Sequence, residues 1–274
     1  MTTFLDKLDA AARRNRSLLC VGLDPWPPLM PKEGIASFSQ AIVEATADLV
    51  CAFKPNIAFY EAQGSAGLVA LEQTLATIPD DVPVILDAKR GDIGNTAIAY
   101  AQAVFETWGA DAVTVSPYLG RDSVEPFLAY EGKGVFVLCR TSNPGGSDLQ
   151  ALQVTADGQS APLYEQVARL AERWNDHGNV GLVVGATVPG ELARVRELCP
   201  HMPILVPGVG AQGGDLEASV RLGTDASGRR AVISVSRQVL YASGGSDYAQ
   251  AARQAAQALR EQINAVLAAL GWGW

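Results

Sequence analysis

Two aspartates and a lysine lie close together in the segment ILDAKRGDIGNT, and their types and spacing suit a cluster of mutually ionised groups in an active site. Asp87 and Lys89 are two positions apart where a run of apolar residues ends, and Asp92 follows three positions later. Side chains two residues apart on a strand point to the same face. Carboxylates and ammonium groups in such an array keep one another ionised where water is excluded. A purely structural network of ion pairs is the alternative, and the position at a strand end favours catalysis.

Polar and charged residues also end other apolar runs along the chain. Asp24 follows the first run, Lys54 ends the second, Ser142 follows the fifth, and Ser236 and Arg237 end the eighth. In a barrel of parallel strands, the functional groups lie at the carboxyl ends of the strands. The pattern therefore predicts one active site that gathers these side chains at one end of the fold.

The glycine-rich segment PGVGAQGGD follows the seventh apolar run. Gly208, Gly210 and Gly213 have the spacing of a dinucleotide-binding fingerprint, but that fingerprint normally opens a sheet, and only one strand follows here. Barrels bind phosphate in the loops after their last two strands, through backbone N–H groups and bidentate arginines. We therefore expect this segment and Arg237 to hold a phosphorylated substrate. A plain glycine turn beside a surface arginine is the alternative.

Eight short apolar runs indicate an α/β fold, because near-continuous apolarity is typical of parallel strands buried on both faces. Segments of helical period separate the runs evenly up to the C-terminus, which favours a (β/α)8 TIM barrel over a doubly wound sheet. We predict a single domain, 1–274, with an extra N-terminal helix around 4–12 that closes the barrel bottom. We also predict an irregular loop at 142–162 on the catalytic face. The runs are residues 17–23, 49–54, 82–88, 110–116, 134–141, 179–186, 203–209 and 231–236.

Composition argues against several classes of partner. The formal net charge of −8 disfavours nucleic acids and membrane surfaces, which are polyanionic. The sequence contains no apolar run of signal-peptide type or of membrane-spanning length. The four cysteines form no CxxC pair, and His177 and His201 have no second ligand at metal-binding spacing. We therefore expect a cytoplasmic enzyme that has neither a disulfide framework nor a zinc site.

Several motifs together resemble one known family. LDAKRGDIGNTA matches the D-x-K-x-x-D-I-x-x-T signature of the orotidine 5′-phosphate decarboxylases. VGLDP, FKPNIAFYE, RTSNPG, PGVGAQGGD and VSRQVLYA match the same family in order, so that the resemblance covers nearly the whole chain. FKPN, RTSNPG and the chain length are similar to the longer, second subfamily. The resemblance implies a TIM-barrel carboxy-lyase that converts orotidine 5′-monophosphate to uridine 5′-monophosphate without metal or cofactor, the last step of de novo pyrimidine biosynthesis.

The resemblance implies a role for each residue of the charged centre. Lys89 is expected to donate a proton to C6 of the pyrimidine after carbon dioxide leaves. Asp87 is expected to lie against the substrate carboxylate and, together with Lys54, to brace Lys89. Asp24 and Lys54 are expected to contact the ribose hydroxyls.

Further residues are implied around the base and the phosphate. Ser142 is expected to read the pyrimidine edge, and Pro207 to border the pocket. Gln212 and Arg237 are expected to hold the 5′-phosphate. Ser236 departs from the family pattern, in which a glycine often precedes the arginine, but its backbone N–H can still bind phosphate.

The resemblance also implies a homodimer. Asp92 and Thr96 are expected to reach the ribose in the site of the neighbouring subunit. Nothing in the spacing of these two residues demands that placement, so this expectation rests on the resemblance alone.

Two other functions stay open at the level of the sequence. Magnesium-dependent sugar-phosphate enzymes, such as ketogulonate-phosphate decarboxylases and hexulose-phosphate synthases, share the D-x-K-x-x-D motif. They carry a metal-binding glutamate where this chain has Lys54, whose charge would repel magnesium. A noncatalytic phosphate- or dinucleotide-binding protein is the second alternative, and it leaves the charged strand ends unexplained.

Overall fold

Eight buried parallel strands form the centre of the computed structural model, which describes residues 2–156, 158–210 and 213–274. They pair in the order β2-β1-β10-β9-β8-β5-β4-β3, and parallel bridges from Phe53 to Val84 and from Asn56 to Asp87 join the two edge strands. The sheet therefore curves into the predicted barrel. The strands are β1 Leu19–Leu23, β2 Ala52–Pro55, β3 Ile85–Arg90, β4 Ala112–Val115, β5 Gly134–Arg140, β6 Gln153–Ala156, β7 Gln159–Pro162, β8 Val180–Val184, β9 Ile204–Pro207 and β10 Ala231–Val235.

Helices alternate with the barrel strands and cover their outer faces. None of the helices in the described residues is both long enough and apolar enough to cross a membrane. The helices are α1 Phe4–Asn15, α2 Ile35–Thr46, α3 Ile57–Glu61, α4 Gly64–Thr77, α5 Gly94–Gln102, α6 Arg121–Leu128, α7 Ser147–Gln150, α8 Leu163–Arg173, α9 Pro189–Leu198, α10 Leu216–Gly223, α11 Arg237–Leu240 and α12 Tyr248–Ala269.

The larger apolar core lies between the strands and the surrounding helices. Phe38 of α2, Leu71 of α4 and Phe127 of α6 are fully buried in it. Burial of each such side chain contributes about 1.5–3 kcal/mol to the free energy of unfolding. All four cysteines are buried with free thiols.

Helix α1 closes the lower end of the barrel, as the sequence predicted. Its residues Phe4, Leu8 and Ala12 join a second apolar cluster inside the barrel. The Phe4 ring lies edge-on to the ring of Phe136, with centroids 5.7 Å apart, and Gly134 leaves room for it because a Cβ there would clash with the ring. Every barrel strand contributes to this cluster: Cys20, Ala52, Ile85, Ala112, Phe136, Val183, Leu205 and Val232.

The segment 142–162 differs from the irregular loop that was predicted. It contains the short helix α7 and an antiparallel ribbon in which Gln153 pairs with Pro162 and Ala156 pairs with Gln159. The irregular prediction is therefore wrong for the two strands β6 and β7. Backbone hydrogen bonds join the two strands, and the ribbon lies outside the apolar core. Its sequence therefore has little hydrophobic periodicity. The Asp-Gly dipeptide between its strands, which favours hairpins, was the available signal.

Candidate active site

A cavity of about 750 Å³ opens at the carboxyl ends of the barrel strands. Its size lies in the range of sites that enclose a small ligand. The structure brings most of the sequence-predicted site residues together in its walls. These are Asp24, Lys54, Asp87, Lys89, Ser142, Pro207, Ser236 and Arg237.

An array of two ammonium groups and one carboxylate lies at the base of this cavity. The Asp87 carboxylate accepts hydrogen bonds from Lys54 Nζ at 3.0 Å on one oxygen and from Lys89 Nζ at 2.5 Å on the other. Lys54 and Asp87 are only 4% and 8% exposed, whereas the side chain of Lys89 is 49% exposed. The array therefore combines a buried ion pair, Lys54 and Asp87, with the more exposed Lys89, and all three residues line the cavity.

The mutual charges keep the buried members of the array ionised. Burial raises the pKa of the Asp87 carboxyl, but the adjacent Lys54 and Lys89 lower it by more, so its pKa lies well below the usual range. Burial lowers the pKa of Lys54, but Asp87 and then Asp24 raise it by more, so its pKa lies above the usual range. At neutral pH the cavity therefore contains a fixed negative charge between two cations.

A β-bulge places the two reactive residues of β3. Leu86 pairs with Val113 of β4, but the next pair joins Arg90 to Val115, so three residues of β3 lie opposite Thr114 alone. The spacing had predicted that Asp87 and Lys89 meet by regular strand alternation. Their side chains do meet, but within this bulge and not in a regular strand.

The hydroxyl of Thr114 stabilises the bulge. Thr114 Oγ1 accepts hydrogen bonds from the backbone N–H groups of Ala88 at 3.0 Å and Lys89 at 2.9 Å, and it donates to Asp87 at 2.9 Å. Lys89 has a φ of 47°, in the left-handed region, which costs a residue with a Cβ about 1–2 kcal/mol. Sequence reasoning missed this residue, and the available signal was a hydroxyl side chain between two valines in the fourth run.

Asp24 presents an unsatisfied oxygen next to this array. Its Oδ1 atom is buried and has no hydrogen-bond partner among the residues that the structure describes. A buried polar atom without a partner is costly, and Asp24 lines the cavity, so this oxygen is a candidate contact for a ligand there. A hydroxyl of a ligand in the cavity would satisfy this oxygen.

Ser142 follows β5, and hydrogen bonds to it and to Arg140 hold this part of the chain in place. Thr187 donates a hydrogen bond to its backbone oxygen at 3.0 Å. Two residues earlier, the buried Arg140 donates to Glu191 at 2.7 Å and to Gln150 at 3.2 Å. Arg140 therefore anchors the start of the loop from outside the cavity, and Ser142 lines the cavity itself.

The glycine-rich segment borders the opposite wall of the cavity. Gly208 lines the cavity, and Gly208 and Gly210 have φ values of 95° and 69°, which only glycine adopts without strain. Ser236 also lines this wall, and Gly22 of β1 makes room for its side chain because a Cβ there would clash with it. Gln212, which the resemblance implied in phosphate binding, lies outside the described residues.

Asp92 and Thr96 are not brought to the cavity of their own chain. Asp92 follows β3 and accepts a hydrogen bond from the backbone of Ile93 at 2.8 Å, and Thr96 is exposed on α5. Neither residue lines the cavity. Within one chain, these two predicted site residues are therefore separated from the other eight.

Barrels of this type carry out their chemistry at the carboxyl ends of the strands, and an ionised Lys–Asp–Lys array inside such a cavity defines the chain as a TIM-barrel enzyme. A model of the Orotidine 5'-phosphate decarboxylase / HUMPS family matches residues 17–255. The chain belongs to this family.

Individual relatives agree with the family match. An orotidine 5′-phosphate decarboxylase of Roseiflexus castenholzii is 58% identical over 97% of this chain and 99% of the relative. One of Herpetosiphon aurantiacus is 56% identical over 93% of this chain and 96% of the relative. The solved structure of Leishmania donovani OMP decarboxylase has a TM-score of 0.85 and 45% identity, and the match covers 97% of this chain and 99% of that one. The predicted family and the predicted enzyme class are therefore confirmed.

Proposed function

We propose that the chain converts orotidine 5′-monophosphate to uridine 5′-monophosphate and carbon dioxide without metal or cofactor, as the last step of de novo pyrimidine biosynthesis. The observation that carries this proposal is the contact of Asp87 with both Lys54 and Lys89 at the base of the cavity. The relatives named orotidine 5′-phosphate decarboxylase support the identity of the substrate.

Lys89 supplies the electrostatic stabilisation and the proton in this proposal. The bond between C6 and the carboxylate breaks, carbon dioxide leaves, and the electron pair stays on C6. The ammonium group of Lys89 stabilises this developing carbanion and then transfers one proton from Nζ to C6. Because the side chain of Lys89 is 49% exposed, the neutral amine can recover its proton from solvent after product release.

Asp87 acts on the substrate carboxylate and on Lys89. Its ionised carboxylate, whose pKa the two lysines hold low, would lie against the substrate carboxylate and raise the energy of the bound substrate. The repulsion ends when carbon dioxide leaves. The same carboxylate holds Lys89 at 2.5 Å, so that the proton donor stays directed towards the reacting carbon.

The remaining cavity residues bind the rest of the nucleotide. The unsatisfied oxygen of Asp24 and the ammonium of Lys54 would contact the ribose hydroxyls, and Ser142 would read the pyrimidine edge. Arg237 would hold the phosphate with Gln212 and the backbone of Ser236, beside Pro207. Binding energy from the phosphate, remote from the reacting carbon, can then be used to assemble the site.

A homodimer would bring Asp92 and Thr96 to the site of the partner subunit. The apolar side chains of Ile93 and Ile98 flank these residues and are 55% and 47% exposed, as surfaces that associate often are. The single-domain organisation and the cytoplasmic location also stay predictions.

A magnesium-dependent sugar-phosphate enzyme is the alternative function within the same fold. The family description itself covers more than one activity. Lys54 argues against this alternative, because its buried ammonium lies 3.0 Å from Asp87, where it would repel a divalent cation.

The ultraviolet absorbance of orotidine 5′-monophosphate provides the test. The purified chain should convert this substrate to uridine 5′-monophosphate at the same rate with EDTA and with added magnesium. A folded chain that leaves it unchanged, but acts on a sugar phosphate when magnesium is added, would overturn the proposal in favour of the alternative.

A further inference from the structure

The hydroxyl of Tyr241 fastens the loop that follows β1. It donates a hydrogen bond to the backbone oxygen of Asp24 at 2.8 Å and accepts one from the backbone N–H of Trp26 at 2.6 Å. A phenol can donate one hydrogen bond while it accepts another, and both capacities are used here. The backbone on both sides of Pro25 is therefore tied to this side chain.

The same residue is joined to Arg237 through one turn of helix. Helix α11 begins at Arg237, directly after β10, and the backbone N–H of Tyr241 donates to the Arg237 carbonyl at 3.1 Å. The Tyr241 ring is stacked on the fully buried ring of Phe38, with centroids 6.0 Å apart and an interplanar angle of 9°. The phenol is thus fixed in place between Arg237 and Asp24.

We infer that Tyr241 is a positioning residue that links the phosphate end of the site to its sugar end. The inference rests on the proposed function, in which Arg237 holds the phosphate and Asp24 contacts the ribose. When Arg237 is held by the phosphate, α11 and Tyr241 hold the backbone of Asp24 in place. The unsatisfied Oδ1 atom of Asp24 is then held at the position where a sugar hydroxyl binds. In this way, binding energy from the phosphate helps to position the carboxylate that binds the sugar.

Tyr248 offers a matched control for a phenol hydroxyl in the same aromatic group. Its ring also contacts Phe38, with centroids 5.2 Å apart, but its hydroxyl donates to Glu33 at 2.7 Å, and the residue does not line the cavity. Tyr248→Phe therefore removes a hydroxyl and its contact with Glu33, but leaves the two hydrogen bonds to the backbone of Asp24 and Trp26 in place. A purely packing role for these rings would make the two variants behave alike.

The test compares Tyr241→Phe, Tyr248→Phe and the wild type on orotidine 5′-monophosphate and on orotidine, which lacks the phosphate. Loss of two hydrogen bonds should lower kcat/KM of Tyr241→Phe for the phosphorylated substrate about tenfold to hundredfold. For orotidine the loss should stay within about threefold, because this ligand presents no phosphate to Arg237. Tyr248→Phe should stay within about threefold of the wild type on both substrates.

Binding of uridine 5′-monophosphate and uridine, measured by calorimetry, repeats this comparison without chemistry. Tyr241→Phe should lose affinity for the nucleotide and not for the nucleoside. Equal losses on phosphorylated and unphosphorylated ligands, or no loss on either, would overturn the inference and leave the proposed function intact. A wild type that converts neither substrate would overturn the proposed function and the inference with it.

Discussion

The Thr114 hydroxyl oxygen lies 2.9 Å from the backbone nitrogen of Lys89, and this hydrogen bond fixes the proposed proton donor in a left-handed conformation. Replacement of Thr114 by valine keeps the shape but removes the acceptor for two partly buried N–H groups. We expect Thr114→Val to lower the free energy of unfolding by about 1–3 kcal/mol and kcat by about tenfold or more. Urea unfolding and steady-state kinetics measure the two effects.

Thr74→Val is the matched control for this substitution. Thr74 is also fully buried, but its hydroxyl donates to the Ala70 carbonyl within α4, at 2.7 Å. Because the Ala70 carbonyl lies within a helix, we expect Thr74→Val to lower the free energy of unfolding by at most about 1 kcal/mol and to leave kcat unchanged. A wild-type kcat in Thr114→Val would contradict the role given to the bulge.

Removal of the Asp87 charge should destabilise the chain in a pH-dependent manner. Asp87→Asn leaves the buried Lys54 without its ionic partner, which costs about 3–5 kcal/mol at neutral pH. The pKa of Asp87 lies below its ordinary value of 3.8, so its stabilisation is full well above that pH and is lost as the pH falls. The difference in the free energy of unfolding between wild type and variant should therefore narrow on acidification.

Urea unfolding from about pH 6 down to about pH 3 checks this sign. Asp80→Asn, on the exposed turn before β3, controls for the loss of one negative charge and should change little. A difference that widens as the pH falls below about 4 would contradict the assignment of a lowered pKa to Asp87.

Arg237 should matter for a reaction whose atoms it does not touch. Loss of two charge-assisted hydrogen bonds to a phosphate should lower kcat/KM of Arg237→Ala by about 10²- to 10⁴-fold. Arg221→Ala controls for the removal of a surface arginine, because Arg221 pairs with Glu217 on α10 at 2.7 Å. Near-normal kinetics in Arg237→Ala would count against the phosphate site.

Hybrid dimers test whether Asp92 acts across subunits. When Lys89→Ala and Asp92→Asn chains assemble at random, half of the dimers are hybrids, and each hybrid has one site with both native residues. We expect about one quarter of the wild-type activity from a mixture of two nearly inactive variants. Lys89→Ala mixed with Arg237→Ala should regain nothing, because both residues line the cavity of one chain. Absence of recovery in the first mixture would contradict the shared site.

The barrel and most of the charged centre could be predicted because they leave local marks in the sequence. Strands that are buried on both faces appear in the sequence as continuous apolar runs. A charged residue directly after such a run is therefore expected at the carboxyl end of the barrel. This reasoning located Asp24, Lys54 and Asp87. The N-terminal helix was also predictable from a local pattern, because Phe4 and Leu8 are spaced to lie on one apolar face of a helix.

The features that sequence reasoning missed depend on contacts between distant segments. Thr114 acts through a bulge in β3, and no local pattern of either strand records that shift of register. Tyr241 contacts Asp24 across more than two hundred positions in the sequence. From the sequence alone, it cannot be distinguished from an ordinary aromatic residue of the core. The ribbon of β6 and β7 lies outside the apolar core, so hydrophobic periodicity could not indicate it.

A single-turnover comparison of the wild type and Lys89→Ala, with enzyme in excess over orotidine 5′-monophosphate, tests the central claim most directly. If Lys89 both stabilises the carbanion and donates the proton, the variant should convert the substrate at least about 10⁴-fold more slowly. Its affinity for uridine 5′-monophosphate should change by less than about tenfold, because the side chain is not needed to bind the product. A folded Lys89→Ala chain that converts the substrate within about tenfold of the wild-type rate would contradict the account.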